Sequence, residues 1–349
     1  MPRSTVYNDN LVTPEKWERV NEQNKELLND FIQYCRASDK SEKTCKQYES
    51  QLKIIMVWLS EKDNNKFFVD VKKRDWVKFT AWLSEDLGVS SNRISSLKSV
   101  ISSLSNYIEN VLDDEYPTFR NISKVIDPGA KHNVRDKNIV NAEEVNACLE
   151  ELVKQGKYQI ACCLSLMFNS GCRISEVVQI RVDDFDDKNL RFNGMAIQTH
   201  VMRTKGRGKL GKQISRYVFM KDFRKYLDLW LAEREKNGVK TDELFVVYSD
   251  GKYRPAIDTT IRGWFTNKIS KVMGKDVNPH CLRHAWVTER KREGYPDSVL
   301  KTIIKWESID MVSLYNDMDD SEELEGFFAN LDENGKPIVK DLKGDFFNG

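Results

Sequence analysis

No apolar run in this 349-residue chain is long enough to cross a bilayer; the longest lies around Ile160–Phe168. The first residues, Met1-Pro2-Arg3-Ser4-Thr5, lack the apolar region of a secretory signal. Paired cysteines are missing too. Seven are scattered without a Cys-x-x-Cys spacing, which argues against a disulfide framework and for reduced thiols. Internal repeats and low-complexity blocks are also absent. These absences turn the reading away from membrane, secreted and repeat proteins toward a soluble, cytoplasmic one. Net charge is nearly absent as well, at +1. That figure hides an asymmetry: twelve acidic against three basic side chains from Glu307 onward leave residues 1–306 at +10. A basic body suits a polyanionic partner, because neutralised phosphates release counterions.

A hydrophobic fraction of 40%, with eight tryptophans and sixteen phenylalanines, is enough for packed cores with aromatic anchors. The first half reads as helices. Thr13 caps a segment with Pro14 at its first position, and Trp17, Val20, Leu27, Leu28, Phe31 and Ile32 follow on one face. Ser41-Glu42-Lys43-Thr44 opens a second helix with Tyr48, Leu52, Ile55, Trp58 and Leu59 as its stripe. Trp76, Phe79, Trp82 and Leu83 mark a third, and Ile94 to Ile108 a fourth. A helical domain over 20–126 is expected, after an N-terminal extension over 1–19. Residues 127–137 carry Pro128, Gly129 and many charges, and read as an exposed linker.

From 138 to 320 a second domain is expected. Asn141 suits an N-cap, and Tyr158–Asn169 suits a buried helix ended by Gly171. Between Leu190 and Val218, Phe192, Met195, Ile197, Val201, Ile214, Tyr217 and Val218 come in short alternating stretches. Gly206-Arg207-Gly208 and Gly211 break them, which predicts a small antiparallel sheet with a basic turn. Helices are predicted again at Lys221–Glu235, Asp258–Met273, His280–Arg292, Ser298–Ile304 and Ile309–Asn316. Residues 321–349 read as a short helix followed by an acidic tail. The fold class is therefore mainly α with a small antiparallel β-sheet in the C-terminal domain (α+β).

Chemistry concentrates in Pro279-His280-Cys281-Leu282-Arg283-His284, in Asn169-Ser170-Gly171-Cys172-Arg173-Ile174-Ser175-Glu176, and in Tyr315. A phenol with its ordinary pKa is about one part in a thousand ionised at neutral pH, so as a nucleophile it needs a proton acceptor. The charge that builds on a phosphorane needs fixed cations, and the planar arginine fork suits two phosphate oxygens. Arg173 and Arg283 supply forks. His280 can relay the phenol proton. Lys205, in the predicted turn, can protonate the leaving oxygen, although Lys209 and Lys212 lie nearby. Trp306 can hold a phosphate by its indole N–H. Glu176, three residues after Arg173, can orient a cation. His280 and His284 are four apart, but no third ligand accompanies them, so no metal and no other cofactor is expected.

These segments resemble the catalytic boxes of the tyrosine recombinases, the phage integrase and Cre family. Gly171-Cys172-Arg173-Ile174-Ser175-Glu176 is similar to that family's Gly-x-Arg-x-Ser-Glu box, and residues 280–284 to its His-x-Leu-Arg-His. Trp306 stands nine residues before Tyr315, where the family has histidine or tryptophan, although Ile304-Lys305-Trp306 replaces the common Leu-Gly-His. The resemblance implies Arg173, Lys205, His280, Arg283, Trp306 and Tyr315 as the catalytic set, with Glu176 and His284 behind it. It implies a Cre-like, two-domain site-specific recombinase that clamps duplex DNA. Lys43, Lys46, Arg93, Lys98, Lys131, Arg135, Arg203 and Arg207 are the expected DNA contacts. It further implies a homotetramer on two sites. Leu324, Phe327, Phe328 and Leu331 make an apolar stripe in the C-terminal helix, which is expected to dock on a neighbouring protomer. A recombinase-fold repressor without catalysis, and a type IB topoisomerase or telomere resolvase, are the competing readings.

Overall fold

The computed structural model describes residues 10–130, 138–206, 208, 211–318, 321–323 and 325. Lys131, Arg135, Arg207, Lys209, Leu324, Phe327, Phe328 and Leu331, singled out above, lie outside those residues. The chain divides into two compact units: Met1–Asp136 together with Gly206–Leu210, and Lys137–Lys205 with Gly211–Gly349. No helix among the described residues is long and apolar enough to cross a membrane.

The first unit is helical. It runs through α1 (Pro14–Glu18), α2 (Glu22–Ala37), α3 (Glu42–Lys62), α4 (Lys73–Ala81) and α5 (Ser91–Val111). Thr13 caps α1 as expected, its side chain accepting from Lys16 N. The stripe from Trp17 to Ile32 is split between two helices instead of lying on one. Asn21 breaks it in extended backbone and accepts the amide of Asn24 at 2.7 Å, so α2 starts afresh. Asn24, fully buried, donates to Lys66 O and accepts from Phe68 N, which ties α2 to the connection after α3. Ser41 caps α3 through Thr44 N at 3.2 Å. Leu52, Ile55 and Leu59 of α3 pack in one core with Phe31, Leu97, Ile101, Leu104 and Ile108.

Of the expected DNA contacts in this unit, Lys43 and Lys46 are exposed on α3 and Arg93 is half-buried on α5. Lys98 is used internally. It is half-buried and donates to Ile126 O at 2.6 Å, fastening α5 to the end of the unit.

The second unit begins with α6 (Ala142–Lys154) and α7 (Tyr158–Ser170). Asn141 and Glu144 form a reciprocal cap at the start of α6. Every residue of α7 from Ile160 to Ser170 is buried, because α7 is apolar around its whole circumference and forms the centre of the core. Next come α8 (Ile174–Val177) and five short strands: β1 (Leu190–Arg191), β2 (Ala196–Gln198), β3 (Met202–Thr204), β4 (Lys212–Ile214) and β5 (Tyr217–Phe219). They make two sheets where one was expected. A three-stranded antiparallel sheet has the order β1-β2-β5, and the β3-β4 hairpin stands apart from it. Phe192 and Met195 were read as strand positions but sit in the β1–β2 turn, where both are exposed, with Phe192 at φ 55°.

After α9 (Arg224–Lys236) comes a hairpin that the periodicity did not reveal, β6 (Val246–Ser249) with β7 (Lys252–Pro255). Then follow α10 (Asp258–Trp264), α11 (Ser270–Met273), α12 (Pro279–Arg292), α13 (Asp297–Ile304) and α14 (Asp310–Tyr315). The single segment predicted over 258–273 is interrupted by a π-helical turn at Phe265–Ile269. Val287, Leu300, Ile304, Trp306, Val312 and Tyr315 bury one another in a small separate core.

The turn after α13 carries backbone strain. Lys305 ends the helix in the left-handed region at φ 60° and ψ 40°, while Trp306 N closes back on Lys301 O at 3.0 Å. A side chain there costs about 1 kcal/mol that glycine avoids. Lys305→Gly is therefore expected to raise the melting temperature by about 2–4 °C, less the entropy glycine loses on folding. Thermal denaturation by circular dichroism checks it.

Candidate functional site

Glycine 171 sets the geometry from which the site is built. It ends α7 at φ 58°, and a Cβ there would meet Ile304 Cδ1 at 2.9 Å and the Trp286 ring at 3.2 Å. The tight left-handed turn delivers Arg173 to the N-cap of α8 in extended backbone, φ −76° and ψ 151°. The Gly171 carbonyl accepts from Arg283 Nη1 at 2.6 Å, so the two sequence boxes meet through this one turn. On the other side, Asn278 caps α12 by accepting His280 N at 2.9 Å. The helical period then places His280, Arg283 and His284 together.

These side chains surround Tyr315, the last residue of α14, which is 7% exposed. His284 stacks on it with ring centroids 4.5 Å apart and planes at 32°. Trp306 lies at 4.9 Å and 37°, and His280 meets it edge-on at 5.1 Å and 73°. The Arg283 guanidinium carbon is 5.5 Å from the Tyr315 ring centroid and 5.0 Å from that of Trp306. Four of the residues read from the sequence, His280, Arg283, His284 and Trp306, are thus gathered around a fifth, Tyr315.

Arg283 is almost completely buried, at 1% exposure. Burial first, then Arg173 and Arg216, draw its pKa down to about 9. Its Nε and Nη2, and the indole Nε1 of Trp306, have no hydrogen-bond partner among the described residues. Leaving a buried donor unmatched is costly, and a charged one more so. Three such donors beside a phenol match an anionic acceptor. His280 as a whole residue is exposed, yet its imidazole is drawn down to about 4, by desolvation of the ring first and then by His284, Arg283 and Arg173. Its imidazole is therefore neutral at physiological pH and able to take a proton.

Glu176 is fully buried behind Arg173. It accepts Arg173 N at 2.9 Å and Arg173 Nη1 at 3.2 Å, and it also receives the Thr204 hydroxyl. Thr204 in turn accepts from Arg173 Nη1 at 3.3 Å. Lys205, the next residue, is exposed at the end of β3, as is Arg203. Lys212, opposite Thr204 in the hairpin, is occupied elsewhere: Nζ reaches Lys305 O at 3.4 Å and Glu307 Oε1 at 3.5 Å.

Arg216 was missed. It is fully buried and holds Glu176 with two bonds of 2.8 Å, from Nε and Nη2, while Nη1 donates to Ile304 O. Burial alone would raise the Glu176 carboxyl; Arg216, with Thr204 and Arg173 N, reverses this and takes it to about 2. Strand parity was the available signal. Arg216 shares its face with the inward Val218, so it had to meet an acid inside the core. Asp317, which lies beside His284, was also missed.

Residues 138–322 match the phage integrase family, and residues 27–118 match the phage integrase N-terminal SAM-like domain. The SPbeta prophage-derived recombinase-like protein YomM of Bacillus subtilis (strain 168) is 28% identical over 291 residues, covering 82% of this chain and 84% of that protein. A tyrosine recombinase of Thermosipho africanus (strain TCF52B) is 23% identical over 308 residues, covering 86% and 96%. Among solved structures, a lambda integrase(75–356) dimer bound to a COC′ core site has a TM-score of 0.61 at 14% identity, covering 84% of this chain and 95% of that one. The Tn1549 transposon integrase in complex with transposon right end DNA gives 0.60 at 17% identity, covering 86% and 97%. The structural likeness establishes the fold.

Proposed function

The chain belongs to the phage integrase family, and on that premise we propose that it is a site-specific DNA recombinase acting through a 3′-phosphotyrosine intermediate and a Holliday junction. The observation that carries this reading is the set of unmatched buried donors on Arg283 and Trp306, packed against Tyr315. Arg283, Trp306 and Arg173 bind the non-bridging oxygens of the scissile phosphate. The Tyr315 oxygen attacks phosphorus and its proton passes to neutral His280. The bond from phosphorus to the 5′-oxygen breaks, and Lys205 protonates that oxygen, leaving a free 5′-hydroxyl. The hydroxyl of another strand then attacks the phosphotyrosine, restores the diester and releases the phenol. The covalent link conserves the bond energy, so the exchange needs no ATP.

Lys205 is the better candidate for the general acid, since Lys212 is held by Lys305 O and Glu307 while Lys205 is exposed next to Thr204. Duplex DNA is the partner, with Lys43, Lys46, Arg93 and Arg203 on its phosphates. The assembly is a homotetramer on two sites, with the segment around Leu324, Phe327 and Phe328 reaching a neighbouring copy.

The test selects duplexes from a random-sequence library with the full-length protein, then nicks the selected site beside each candidate phosphate. A denaturing gel should show protein covalently joined to DNA, and Tyr315→Phe should abolish the adduct while retaining binding. Binding without any adduct from the unaltered protein would overturn the reading in favour of a repressor.

The rate should also carry the signature of His280. Below-saturation adduct formation reports the free enzyme, so its acid limb is expected near pH 4, well below the ordinary 6.5 of imidazole. A pH profile of the second-order rate checks this.

A further inference from the structure

Tyr315 closes a helix of only six residues, Asp310–Tyr315. A helix that short does not hold itself, so the orientation of its last side chain must be fixed from outside. Just beyond it the chain meets α12 at two points, one a hydrogen bond and one an ion-pair approach. The Asp317 backbone N–H donates to Thr288 Oγ1 at 3.0 Å, and Asp317 Oδ1 lies 3.3 Å from His284 Nδ1. Little of either group meets solvent: the Asp317 side chain is 4% exposed, and Thr288 is 2% exposed. His284 in turn stacks on the Tyr315 ring and lies 5.2 Å from His280 at 78°.

We propose that Asp317, His284 and Thr288 are positioning residues that brace Tyr315, holding its ring edge-on to His280 and beside Arg283 ready for attack. The proposal rests on the reading of Tyr315 as the nucleophile. His284 packs against the phenol ring at a 32° tilt and is assigned to positioning, with His280 as the proton acceptor of the reading above. Asp317 Oδ1 packs 3.3 Å from His284 Nδ1, close enough to limit how the ring turns although the two do not meet in hydrogen-bond geometry. Thr288 fixes the backbone that carries Asp317. The brace closes a loop from α12 to α14 and back, so rotating the phenol out of the site requires breaking it.

Two measurements test the brace, the first without DNA. Full-length protein carrying 3-fluorotyrosine at position 315 is followed by ¹⁹F NMR. The unaltered chain should give one resonance set by the ring cage. Asp317→Ala should move it toward the value of a solvated fluorotyrosine, and Thr288→Val should move it in the same direction. Asp317→Asn, which keeps an oxygen facing Nδ1, should restore it. In the second arm, on the selected nicked duplex at saturation, Asp317→Ala should slow covalent-adduct formation by about tenfold to a hundredfold. DNA affinity should be unchanged, and Asp317→Asn should recover most of the rate.

The brace is overturned if Asp317→Ala leaves the resonance where it was, if Asn performs no better than Ala, or if affinity falls in step with rate. Should no adduct form with the unaltered chain, the recombinase reading fails while the NMR arm still decides the brace.

Discussion

Arg283→Lys should slow formation of the covalent protein–DNA complex by about a hundredfold to a thousandfold, the usual effect of removing a preorganised donor from a developing oxyanion. The guanidinium has two simultaneous tasks. Nη1 is committed to the Gly171 carbonyl at 2.6 Å, which leaves Nε and Nη2 for the substrate. A lysine ammonium is a compact point charge without a planar fork, so it serves the carbonyl or the phosphate but not both. It would also be a poorer cation there, since burial, with the neighbouring Arg173 and Arg216, draws even the guanidinium to about 9. DNA affinity should change little, because one phosphate among many contributes one increment of a distributed charge interaction. Single-turnover cleavage of a nicked duplex, alongside a binding titration, separates the two quantities. A rate within tenfold of the original would mean that the scissile phosphate is not held at Arg283.

Arg216→Leu is expected to cost about 3–5 kcal/mol of stability, because removing one partner of a buried ion pair leaves the other charge uncompensated. That corresponds to a fall in melting temperature on the order of 10 °C. Glu176 and Arg216 are both fully buried, and the carboxylate has no water to turn to. Glu176→Gln combined with Arg216→Leu should cost less than the two single changes added, as residues in one network couple. The pH dependence has a definite sign. Arg216 holds Glu176 at about 2, against an ordinary 4.5. The stability this contributes is fully present above about pH 4.5 and is lost as pH falls toward 2. Denaturation of Arg216→Leu should therefore lose that acid-limb slope. Activity should fall as well at temperatures where the variant is folded, because Arg216 also donates to Ile304 O, two residues before Trp306.

Much of the site was legible because its spacings are local. His280, Arg283 and His284 fall on adjoining turns of a helix that Asn278 and Pro279 start, and the helical period alone gathers them. Gly171 announced the end of α7, and the nine-residue step from Trp306 to Tyr315 is a turn followed by one short helix. The first-unit helices were legible from their apolar stripes, except where Asn21 used its side chain to start a new helix inside one. What escaped notice depends on pairing across distance. The β6–β7 hairpin and the separation of β3-β4 from β1-β2-β5 follow from which strands find each other, and short strands carry little periodic signal.

The amino-acid sequence by itself determined the helices, the caps, the two boxes and the chemical types that converge on a phosphate. Only the tertiary structure decided that Arg216 is the counter-charge of Glu176, that Asp317 stands against His284, and that Lys98 is spent on Ile126 O while Lys43 remains exposed. The physical reason is the same in each case. A charged side chain has no intrinsic preference among partners of opposite sign. Its choice is made by burial, which removes water as the alternative and leaves whichever group the packed backbone has brought within reach.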